Sequence, residues 1–548
     1  MKKFFSVAVV LFSQLFCLPA IAELKVGDQS RSGNQQRIHG AGIASAHPYA
    51  TRAGIQILKQ GGNAFDAAIA VTAALAVVEP TGSGLGGGGF WLLHDSASGD
   101  SMMVDGREKA PLAATRDMYL DKNKNVIPKL SVDGALAAGI PGEPAALAWM
   151  ANKYGTLPLS ESLKPAIRLA EQGFPVGPKY YRLMKFRLKT IQASQAAADI
   201  FLDEGKVPSI GHIIVQRDLA KTLKAIARDG HDGFYQGEVA EKLVKGVRAA
   251  GGIWTMDDLA QYQVQIRKPV TVEYKGMKIT SAALPSSGGL VLAQSLNILS
   301  GYDMKSMDEL DFTHLTVEAM RRAYRDRAQY MGDEDFVTVP KAMIVDQNYA
   351  HGLRQSIRLD MATPSDYLSP THYDDAKGQD TTHFSIIDGA GNRVSATLSI
   401  NYPFGSGVVA PGTGVLLNDE MDDFSSKPGV PNVYGLVGAE ANAIEPGKRM
   451  LSSMSPTFLE TNGRVAVLGT PGGSRIISMV LLAALEFHKG AGPKGMVLRP
   501  RFHHQYLPDS IQYEPNSLSE ETLAALIERG HELKSRDRTW GNMHAVVL

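Results

Sequence analysis

The chain has 548 residues, of which 44% are hydrophobic and 20% are charged, an ordinary composition for a globular protein. Its 56 basic and 56 acidic residues give a formal net charge of zero, and no long run of one sign stands out. Nucleic acid and an anionic membrane are therefore poor candidates as partners.

The first 22 residues have the pattern of a secretory signal peptide. Lys2 and Lys3 precede an apolar run at 4–18, and Pro-Ala-Ile-Ala follows at 19–22. A membrane anchor is disfavoured because the run is shorter than the ~20 residues that a span needs. We therefore expect cleavage after Ala22 and export to the periplasm.

The only cysteine, Cys17, lies inside this segment, so the exported chain has none. This excludes disulfides, thiol catalysis and cysteine-ligated zinc. No second apolar stretch is long enough to cross a bilayer, so a soluble exported protein is expected.

Helical patterns dominate the first two thirds of the chain. Residues 49–78 are predicted to be helical with a break at Gly61-Gly62, and Asn63 is a good N-cap for the second helix. Ser160 is predicted to cap a helix that runs to about Gln172. Further helices are predicted at about 216–229, 238–250 and 313–331.

The segment 308–331 carries several arginines. We expect a solvated basic face on a helix, formed by Arg321, Arg322, Arg325 and Arg327.

A glycine-rich segment at 81–89 precedes a predicted strand at 90–93. Gly82, Gly84 and Gly87 match the spacing of the dinucleotide-binding fingerprint. That fingerprint needs a strand before it and a helix after it, whereas the order here is reversed. We expect a tight turn with close backbone packing instead.

Strand patterns dominate after residue 381. Alternating runs at 381–387 and 393–400 are predicted to pair across the turn 388–392, and 458–460 is predicted to pair with 464–468. Earlier, 270–281 is predicted to form a hairpin at Lys275-Gly276. Helices are predicted from Arg475 to about Lys489 and at 519–530. Together these elements predict a layered arrangement with a largely antiparallel sheet core.

Common catalytic motifs are missing. The chain has no Gly-x-Ser-x-Gly elbow, no Walker loop and no His-Glu-x-x-His helix. His503 and His504 are adjacent, so they cannot share one helix face as paired ligands, and we interpret them as structural. No metal site is predicted.

Thr381 lies where the polar loop 363–380 gives way to an alternating apolar run. If cleavage exposed it as a chain end, its amine would lie beside its own hydroxyl and could serve as the base for that nucleophile. Small polar clusters on glycine-rich turns accompany it, at 105–111, Asn401, 418–424, 451–457 and 471–474.

In this order the clusters resemble the γ-glutamyltranspeptidase family (glutathione hydrolases) of N-terminal-nucleophile hydrolases. The resemblance covers essentially the whole exported chain, including 86–90, 321–326 and 500–505. It implies an α+β fold, a four-layer αββα sandwich of two central, mainly antiparallel sheets flanked by helices. It implies no cofactor.

The resemblance also implies self-cleavage between Asp380 and Thr381. The products would be a large subunit, 23–380, and a small catalytic subunit, 381–548, which together form one αββα unit. Thr381 would then attack the γ-carbonyl of a donor such as glutathione or a glutamine-type compound, with its α-amine as general base. The backbone N–H groups of Gly472 and Gly473 match the family's oxyanion hole.

Other clusters are implied to bind the donor's α-amino acid end. Arg107 would grip the α-carboxylate in a bidentate pair, assisted by Ser452 and Ser453. The α-ammonium would be surrounded by Asn401, Glu420 and Asp423. The segment 428–438, with Tyr434, resembles a lid over the glutamyl group. Water, amino acids and dipeptides would act as acceptors.

Three departures from the family pattern stand out. Ser399 stands where many members have a second threonine, so the methyl that stiffens χ1 is absent and processing or turnover is expected to be slower. Tyr402-Pro403 occupies a stretch that is usually smaller and more polar, which leaves acceptor preference open. Members usually continue some twenty residues past Leu548, so a truncated chain is one interpretation.

Two other hypotheses remain. A glutaryl or cephalosporin acylase of the same superfamily would use the same nucleophile, but its substrates lack the α-amine that Glu420 and Asp423 would bind. A non-catalytic periplasmic binding protein for glutamate or peptides would fit export, but it gives no reason for Thr381 at a loop-to-strand junction.

Overall fold

The computed structural model describes residues 40–368, 381–461 and 463–548. The predicted signal peptide at 1–22 and the predicted cleavage residue Asp380 lie outside the described residues. Within the described ranges, no helix is both long enough and apolar enough to cross a membrane.

Sixteen strands are present in the described part of the chain. In chain order they are β1 (Gly42–Ser45), β2 (Gly88–His94), β3 (Ser101–Gly106), β4 (Phe174–Pro175), β5 (Ile213–Ile214), β6 (Gln265–Arg267), β7 (Val270–Tyr274), β8 (Met277–Ser281), β9 (Thr382–Ile387), β10 (Arg393–Ser399), β11 (Thr457–Thr461), β12 (Arg464–Gly469), β13 (Phe502–His503), β14 (Ile511–Tyr513), β15 (Leu533–Ser535) and β16 (His544–Val547).

Two antiparallel sheets form the centre of the fold. The first has the strand order β1-β9-β10-β2-β3-β6, and the second has the order β16-β12-β11-β8-β7. The predicted hairpins β7–β8, β9–β10 and β11–β12 are confirmed. Two small sheets, β13-β14-β15 and β4-β5, complete the set in the described ranges.

Helices cover the outer faces of both central sheets. In chain order they are α1 (Pro48–Lys59), α2 (Ala64–Val78), α3 (Glu143–Tyr154), α4 (Leu159–Gln172), α5 (Pro178–Gln192), α6 (Gln195–Phe201), α7 (Arg217–Asp229), α8 (Asp232–Tyr235), α9 (Gly237–Ala249), α10 (Met256–Ala260), α11 (Gly288–Leu299), α12 (Glu309–Tyr330), α13 (Lys341–Ile344), α14 (Gln347–Gln355), α15 (Ile476–His488), α16 (Pro493–Leu498) and α17 (Glu520–Glu528).

The alternation of β9 shows how the layers are built. Phe384 and Ile386 pack in one hydrophobic core with α1, α2 and the following helices. Side chains on the opposite face point toward the second sheet, where the Ser385 hydroxyl donates to the His544 carbonyl at 3.1 Å. The second sheet packs on α11, α12 and α15 in another core. The predicted four-layer αββα sandwich is therefore confirmed.

The start of α2 follows the predicted capping chemistry. The Asn63 side chain accepts from the N–H groups of Phe65 and Asp66, and the Asp66 carboxylate accepts from the Asn63 N–H at 3.0 Å. This reciprocal pair satisfies backbone donors that a helix start leaves open. All fifteen residues of α2 are buried, so the cap fixes the entry of a core helix.

The predicted cap at Ser160 is wrong. Helix α4 begins at Leu159, and Pro158 occupies the N-cap without a side-chain hydrogen bond. The Pro158 carbonyl accepts from the Glu161 N–H at 2.9 Å, so Ser160 lies inside the first turn. The fixed φ of proline starts this helix in place of a polar cap.

The predicted solvated basic face on α12 is also wrong. Arg321, Arg322 and Arg327 are buried, and only Arg325 is partly exposed. Arg321 and Arg322 pair with Glu318, and the two guanidinium groups bring the pKa of that carboxyl down to about 2 against the effect of burial. The helix is polar because it packs against polar loops, including the Ser356 backbone carbonyl that accepts from Arg322.

Candidate active site

Thr381 directly precedes β9 and is only 4% exposed. The next residue, Thr382, points to the helical layer, where its hydroxyl donates to Glu79 at 2.6 Å. Glu79 in turn pairs with Lys179 at 2.6 Å. The start of β9 is thereby anchored to the end of α2 and to α5.

The glycine-rich segment lets the backbone approach Thr381. A Cβ on Gly82 would lie 3.1 Å from the Thr381 carbonyl oxygen, and one on Gly87 would overlap the Ser399 carbonyl oxygen. The expected close backbone packing is confirmed, and no helix follows the glycines as a dinucleotide site would need.

His383 is the imidazole nearest to Thr381 along β9. It is buried, and its two ring nitrogens contact the hydroxyls of Thr397 at 2.8 Å and Ser385 at 3.1 Å. Burial holds its pKa well below the usual value. The neutral ring therefore links β9 with β10 inside the first sheet.

Gly472 and Gly473 form a turn between β12 and α15. Their φ angles of 145° and 58° lie where side chains are strained, and a Cβ on Gly473 would meet the Tyr434 ring at 2.5 Å. Within the described ranges, neither N–H has a hydrogen-bond acceptor. The turn lies at the start of α15, whose dipole adds positive potential there. Two free backbone donors at that place suit a developing oxyanion.

Arg107 forms the centre of a buried charge cluster. Its Nη1 lies 2.7 Å from Glu420 and its Nη2 lies 2.5 Å from Asp423, while its Nε donates to the Met450 carbonyl at 3.3 Å. One guanidinium from the segment after β3 thus pairs with both carboxylates.

Burial sets the protonation of the neighbouring acids. It raises the pKa of Glu420 to about 7, against the opposing effect of Arg107. It also raises the pKa of Glu108 well above the usual value, and the Glu108 oxygens have no hydrogen-bond partner in the described ranges. Glu420 is consequently the acid of this cluster that changes charge near neutral pH.

Ser452 and Ser453 lie between two buried guanidinium groups. On one side, the Met450 carbonyl accepts from Arg107; on the other, the Ser453 hydroxyl accepts from Arg327 Nη2 at 3.3 Å. Arg327 Nε also donates to Ser287 at 2.9 Å, and the Ser287 hydroxyl donates to the Ser452 carbonyl at 2.7 Å. Because the Ser453 oxygen accepts from Arg327, its own hydrogen is available to a ligand.

The segment 428–438, which we call the lid segment, covers these groups. The Tyr434 hydroxyl donates to the Asn401 carbonyl at 2.6 Å, and the Asn432 amide donates to Asp423 at 3.1 Å. Gln505 donates to the Gly435 carbonyl at 2.9 Å. The Tyr434 ring lies against Gly473, so the lid segment closes over the turn after β12.

Most of the predicted site residues line one cavity of about 20 Å³, which we call the donor cavity. They are Thr381, Ser399, Asn401, Asp423, Tyr434, Ser452, Ser453 and Gly473. Arg107 and Glu420 lie directly behind Asp423 through their ion pairs. Gly472 lines a groove on the other side of the turn.

Ser399 occupies the end of β10. Its hydroxyl accepts from the Asn401 N–H at 2.8 Å and lies beside the Glu420 carboxyl, whose pKa it lowers. Asn401 itself has a φ of 69° and donates from its side chain to the Asp419 carbonyl at 3.0 Å. The serine thus supports the loop after β10 as well as the donor cavity.

Comparison with known proteins identifies the chain. A family model described as Gamma-glutamyltranspeptidase matches residues 50–548. The chain belongs to the γ-glutamyltranspeptidase family. Membership of this family makes the chain an enzyme that acts on γ-glutamyl groups.

A relative of this γ-glutamyltranspeptidase chain is the glutathione hydrolase proenzyme of Pseudomonas sp. (strain A14). The two are 44% identical over 530 residues, which cover 96% of this chain and 90% of the relative.

Two solved structures are similar to this γ-glutamyltranspeptidase chain. Cephalosporin acylase from Bacillus halodurans superposes with a TM-score of 0.79 at 30% identity, covering 96% of this chain and 97% of the other. The Helicobacter pylori γ-glutamyltranspeptidase superposes with a TM-score of 0.59 at 44% identity, covering 60% of this chain and 95% of the other. The fold is therefore shared between transpeptidases and an acylase.

Sequence reasoning missed three contributors to this γ-glutamyltranspeptidase site, Glu79, Lys179 and Arg327. Glu79 and Lys179 are separated by 100 residues, and Glu79 and Thr382 by 303, so no local pattern joins them. The sequence pattern places Arg327 on a solvated face of α12, whereas the structure buries it. The sequence signal that could have located Arg327 is its spacing of three from Tyr324 on the same helix. The Tyr324 hydroxyl donates to the Ser474 carbonyl at 2.5 Å beside the glycine turn.

His503 and His504 are both buried, as expected for structural residues. His503 contacts Ser478 at 2.9 Å and Gln505 at 2.8 Å, and His504 contacts Asp509 at 3.1 Å. Within the described ranges, no group of three or more His, Asp or Glu side chains is arranged to hold a metal ion.

Proposed function

We propose that this chain is an exported, self-processing γ-glutamyltransferase that acts on glutathione and related donors. The observation that carries the proposal is the donor cavity, which brings Thr381 together with Gly473, Asp423 and Ser453. A nucleophile, an oxyanion donor and groups for an amino acid end thus meet in one place. Export rests on the signal peptide expected at 1–22.

The first reaction is cleavage of the chain's own peptide bond. The Thr381 hydroxyl oxygen bonds to the Asp380 carbonyl carbon, the carbon–nitrogen bond breaks, and the hydroxyl proton passes to the nitrogen. Water then hydrolyses the resulting ester, leaving a carboxylate on Asp380 and a free amine on Thr381. The products are the subunits 23–380 and 381–548.

The second reaction uses the new chain end. The α-amine takes the proton of the Thr381 hydroxyl, whose oxygen bonds to the donor's γ-carbonyl carbon. The N–H groups of Gly472 and Gly473 stabilise the oxyanion, and the leaving amine departs with the proton. Water or an acceptor amine then attacks the glutamyl ester and releases Thr381.

The charge cluster recognises the donor by exchanging ion pairs. The donor's α-carboxylate pairs with Arg107 and accepts hydrogen bonds from the hydroxyls of Ser452 and Ser453. The donor's α-ammonium contacts Asp423, Glu420 and Asn401. Each charged side chain of the cluster thereby exchanges a protein partner for a charged group of the donor. These side chains are already desolvated in the folded protein, so donor binding adds little further desolvation cost for them. A ligand with only one of the two charges leaves a buried group unpaired.

The donor cavity must enlarge to admit this group. Its volume of about 20 Å³ is close to the space for a single water. The lid segment is held by Tyr434, Asn432 and Gln505, and its opening frees the space above Gly473. Donor binding is therefore gated by release of these hydrogen bonds.

An acylase activity on glutaryl substrates is the second candidate, since the Bacillus halodurans structure is named a cephalosporin acylase. Glutaryl groups lack the α-amine. With such a ligand, Glu420 and Asp423 would lose Arg107 to the carboxylate and gain nothing in return. The cluster therefore favours γ-glutamyl donors.

The test compares Thr381→Ala with Thr381→Ser. The alanine variant is expected to remain a single chain and to release no p-nitroaniline from γ-glutamyl-p-nitroanilide. The serine variant keeps the hydroxyl and is expected to be cleaved and active. Intact mass measures chain cleavage, and nitroaniline release measures activity. An alanine variant that is cleaved and turns over donor would refute the proposal.

A further inference from the structure

Arg107 is the first residue after β3, so its backbone lies beyond the strand ladder. The pairing of β2 with β3 ends at Gly106. The Arg107 side chain is buried and reaches Glu420 and Asp423. An arginine side chain has many rotamers, so the place of its guanidinium depends on where the backbone holds the start of the chain. The donor cavity therefore depends on what fixes the backbone at this residue.

Two side chains hold the backbone of Arg107. The Asp105 carboxylate accepts from the Arg107 N–H at 3.0 Å, and the Tyr262 hydroxyl donates to the Arg107 carbonyl at 2.7 Å. Both side chains are buried, and Tyr262 lies just before β6. Burial raises the pKa of Tyr262, so its hydroxyl keeps the proton that it donates.

Asp105 is itself fixed by two further arginines. Arg267 donates from Nε to Asp105 at 3.1 Å, and its two Nη atoms each lie 2.7 Å from Asp335. Arg449 Nε lies 3.5 Å from Asp105, and the Arg449 N–H donates to Asp333 at 2.9 Å. The N–H of Arg107 is thus held by a charge network, whereas its carbonyl is held by a single hydroxyl.

Stacking fixes the ring of Tyr262 independently of its hydroxyl. The ring is stacked on Tyr235 with centroids 5.4 Å apart and an interplanar angle of 9°, and Arg449 lies over it at 5.8 Å. Removing the hydroxyl alone leaves these ring contacts in place. A phenylalanine at this position should therefore fold as tyrosine does.

We propose that Tyr262 is a positioning residue for donor recognition, which holds the backbone of Arg107 so that the guanidinium meets the donor's α-carboxylate. This inference rests on the proposed function. When the donor enters, the guanidinium exchanges Glu420 and Asp423 for the carboxylate, and the hydrogen bonds to Asp105 and Tyr262 keep its backbone in place. Tyr262 does not touch the donor and acts only through Arg107.

The test is Tyr262→Phe, which leaves the Arg107 carbonyl without its partner. We expect kcat/KM for γ-glutamyl-p-nitroanilide to fall by roughly two- to twelvefold, the range for one hydrogen bond between neutral groups. The loss should appear in KM, with kcat nearly unchanged, because Arg107 binds the same carboxylate in the substrate and in the transition state. The Ki of L-glutamate as a competitive inhibitor should rise by a similar factor.

Tyr235→Phe is the matched control. It removes a buried hydroxyl from the other ring of the same stack, and that hydroxyl donates to the Pro141 carbonyl at 2.8 Å rather than to Arg107. This variant should lower the thermal unfolding temperature about as much as Tyr262→Phe does. Its donor kinetics and its Ki for L-glutamate should match those of the unmodified protein.

Both variants should be cleaved into two chains as fully as the unmodified protein, which intact mass measures. Unchanged KM and Ki in Tyr262→Phe, or equal losses in the two variants, would overturn the role of Tyr262. A fall in kcat with KM unchanged would overturn it as well. Absence of turnover in the unmodified protein would instead refute the proposed function, so the two failures are distinguishable.

Discussion

The two cavities that meet at the Gly472–Gly473 turn differ in size, charge and access. The donor cavity measures about 20 Å³, lies beneath the lid segment, and has its charges paired internally through Arg107. The groove on the other side of the turn, lined by Lys179, Arg182 and Arg538, measures about 410 Å³, and within the described ranges its two exposed arginines form no ion pair.

This difference indicates how one enzyme can combine strict and tolerant recognition. In the proposed donor site, a ligand would replace buried ion pairs, and an imperfect ligand would leave a desolvated charge unpaired. A group that lay in the exposed groove would make only solvent-screened contacts, so a poor match there would cost little. We therefore expect high selectivity for the γ-glutamyl group and modest selectivity for what is attached to it.

The largest effect is expected from Arg107→Ala, which leaves Glu420 and Asp423 buried without their cation. Breaking a buried pair costs about 3–5 kcal/mol, which corresponds to a loss of about 10²–10⁴-fold in kcat/KM. Arg116→Ala, which removes a partly exposed arginine paired with Glu440, serves as the control. Donor kinetics near the unmodified value in a folded Arg107→Ala protein would break the contrast between the two cavities.

A smaller effect is expected from Arg327→Met. Its hydrogen bond orients the Ser453 hydroxyl, and a bond of this kind to a charged group contributes about 1.5–3 kcal/mol, or about 10–10²-fold. We expect the change mainly in KM for the donor. Because Arg327 acts through Ser453, the double variant with Ser453→Ala should be far from additive. Full additivity would contradict this role.

The pH profile of kcat/KM is expected to change by up to about tenfold per pH unit below the pKa of Glu420. That pKa is raised to about 7 by burial, so the carboxyl is neutral at lower pH and anionic at higher pH. Since the donor's α-ammonium prefers the anion, kcat/KM should rise with pH through this range. In Glu420→Gln the rise near pH 7 should vanish.

The smallest effect is expected from Tyr434→Phe, which removes the hydrogen bond from the lid segment to Asn401. The bond contributes about 0.5–1.5 kcal/mol, or about two- to twelvefold. We expect the lid segment to close over the occupied cavity as it does over the free one, so the rates of glutamate binding and release should rise together while Kd stays constant. Stopped-flow fluorescence measures both rates, and a changed Kd with unchanged rates would contradict a gate.

Local chemistry made part of this structure predictable from sequence. The Asn63 cap, the hairpin turns and the glycine turn before α15 depend on a few adjacent residues, and so does the position of Thr381 before β9. These features follow from backbone conformation and alternation, which a sequence displays directly.

Long-range pairing was not predictable. The arginines of α12 have the pattern of a solvated face, yet they are buried because loops far away in the sequence supply their acceptors. In the same way, the pairing of Arg107 with Asp423 joins residues 316 positions apart. Sequence periodicity reports whether a side chain is polar, but tertiary packing decides whether water or protein satisfies it.

The most direct test of the account is the site of the covalent intermediate. The unmodified protein is mixed with γ-glutamyl-p-nitroanilide, quenched in acid and analysed by peptide mass. The account predicts a fragment that begins at Thr381 and carries one additional glutamyl residue on that threonine. A full-length chain that turns over donor, or a glutamyl group on any other residue, would contradict it.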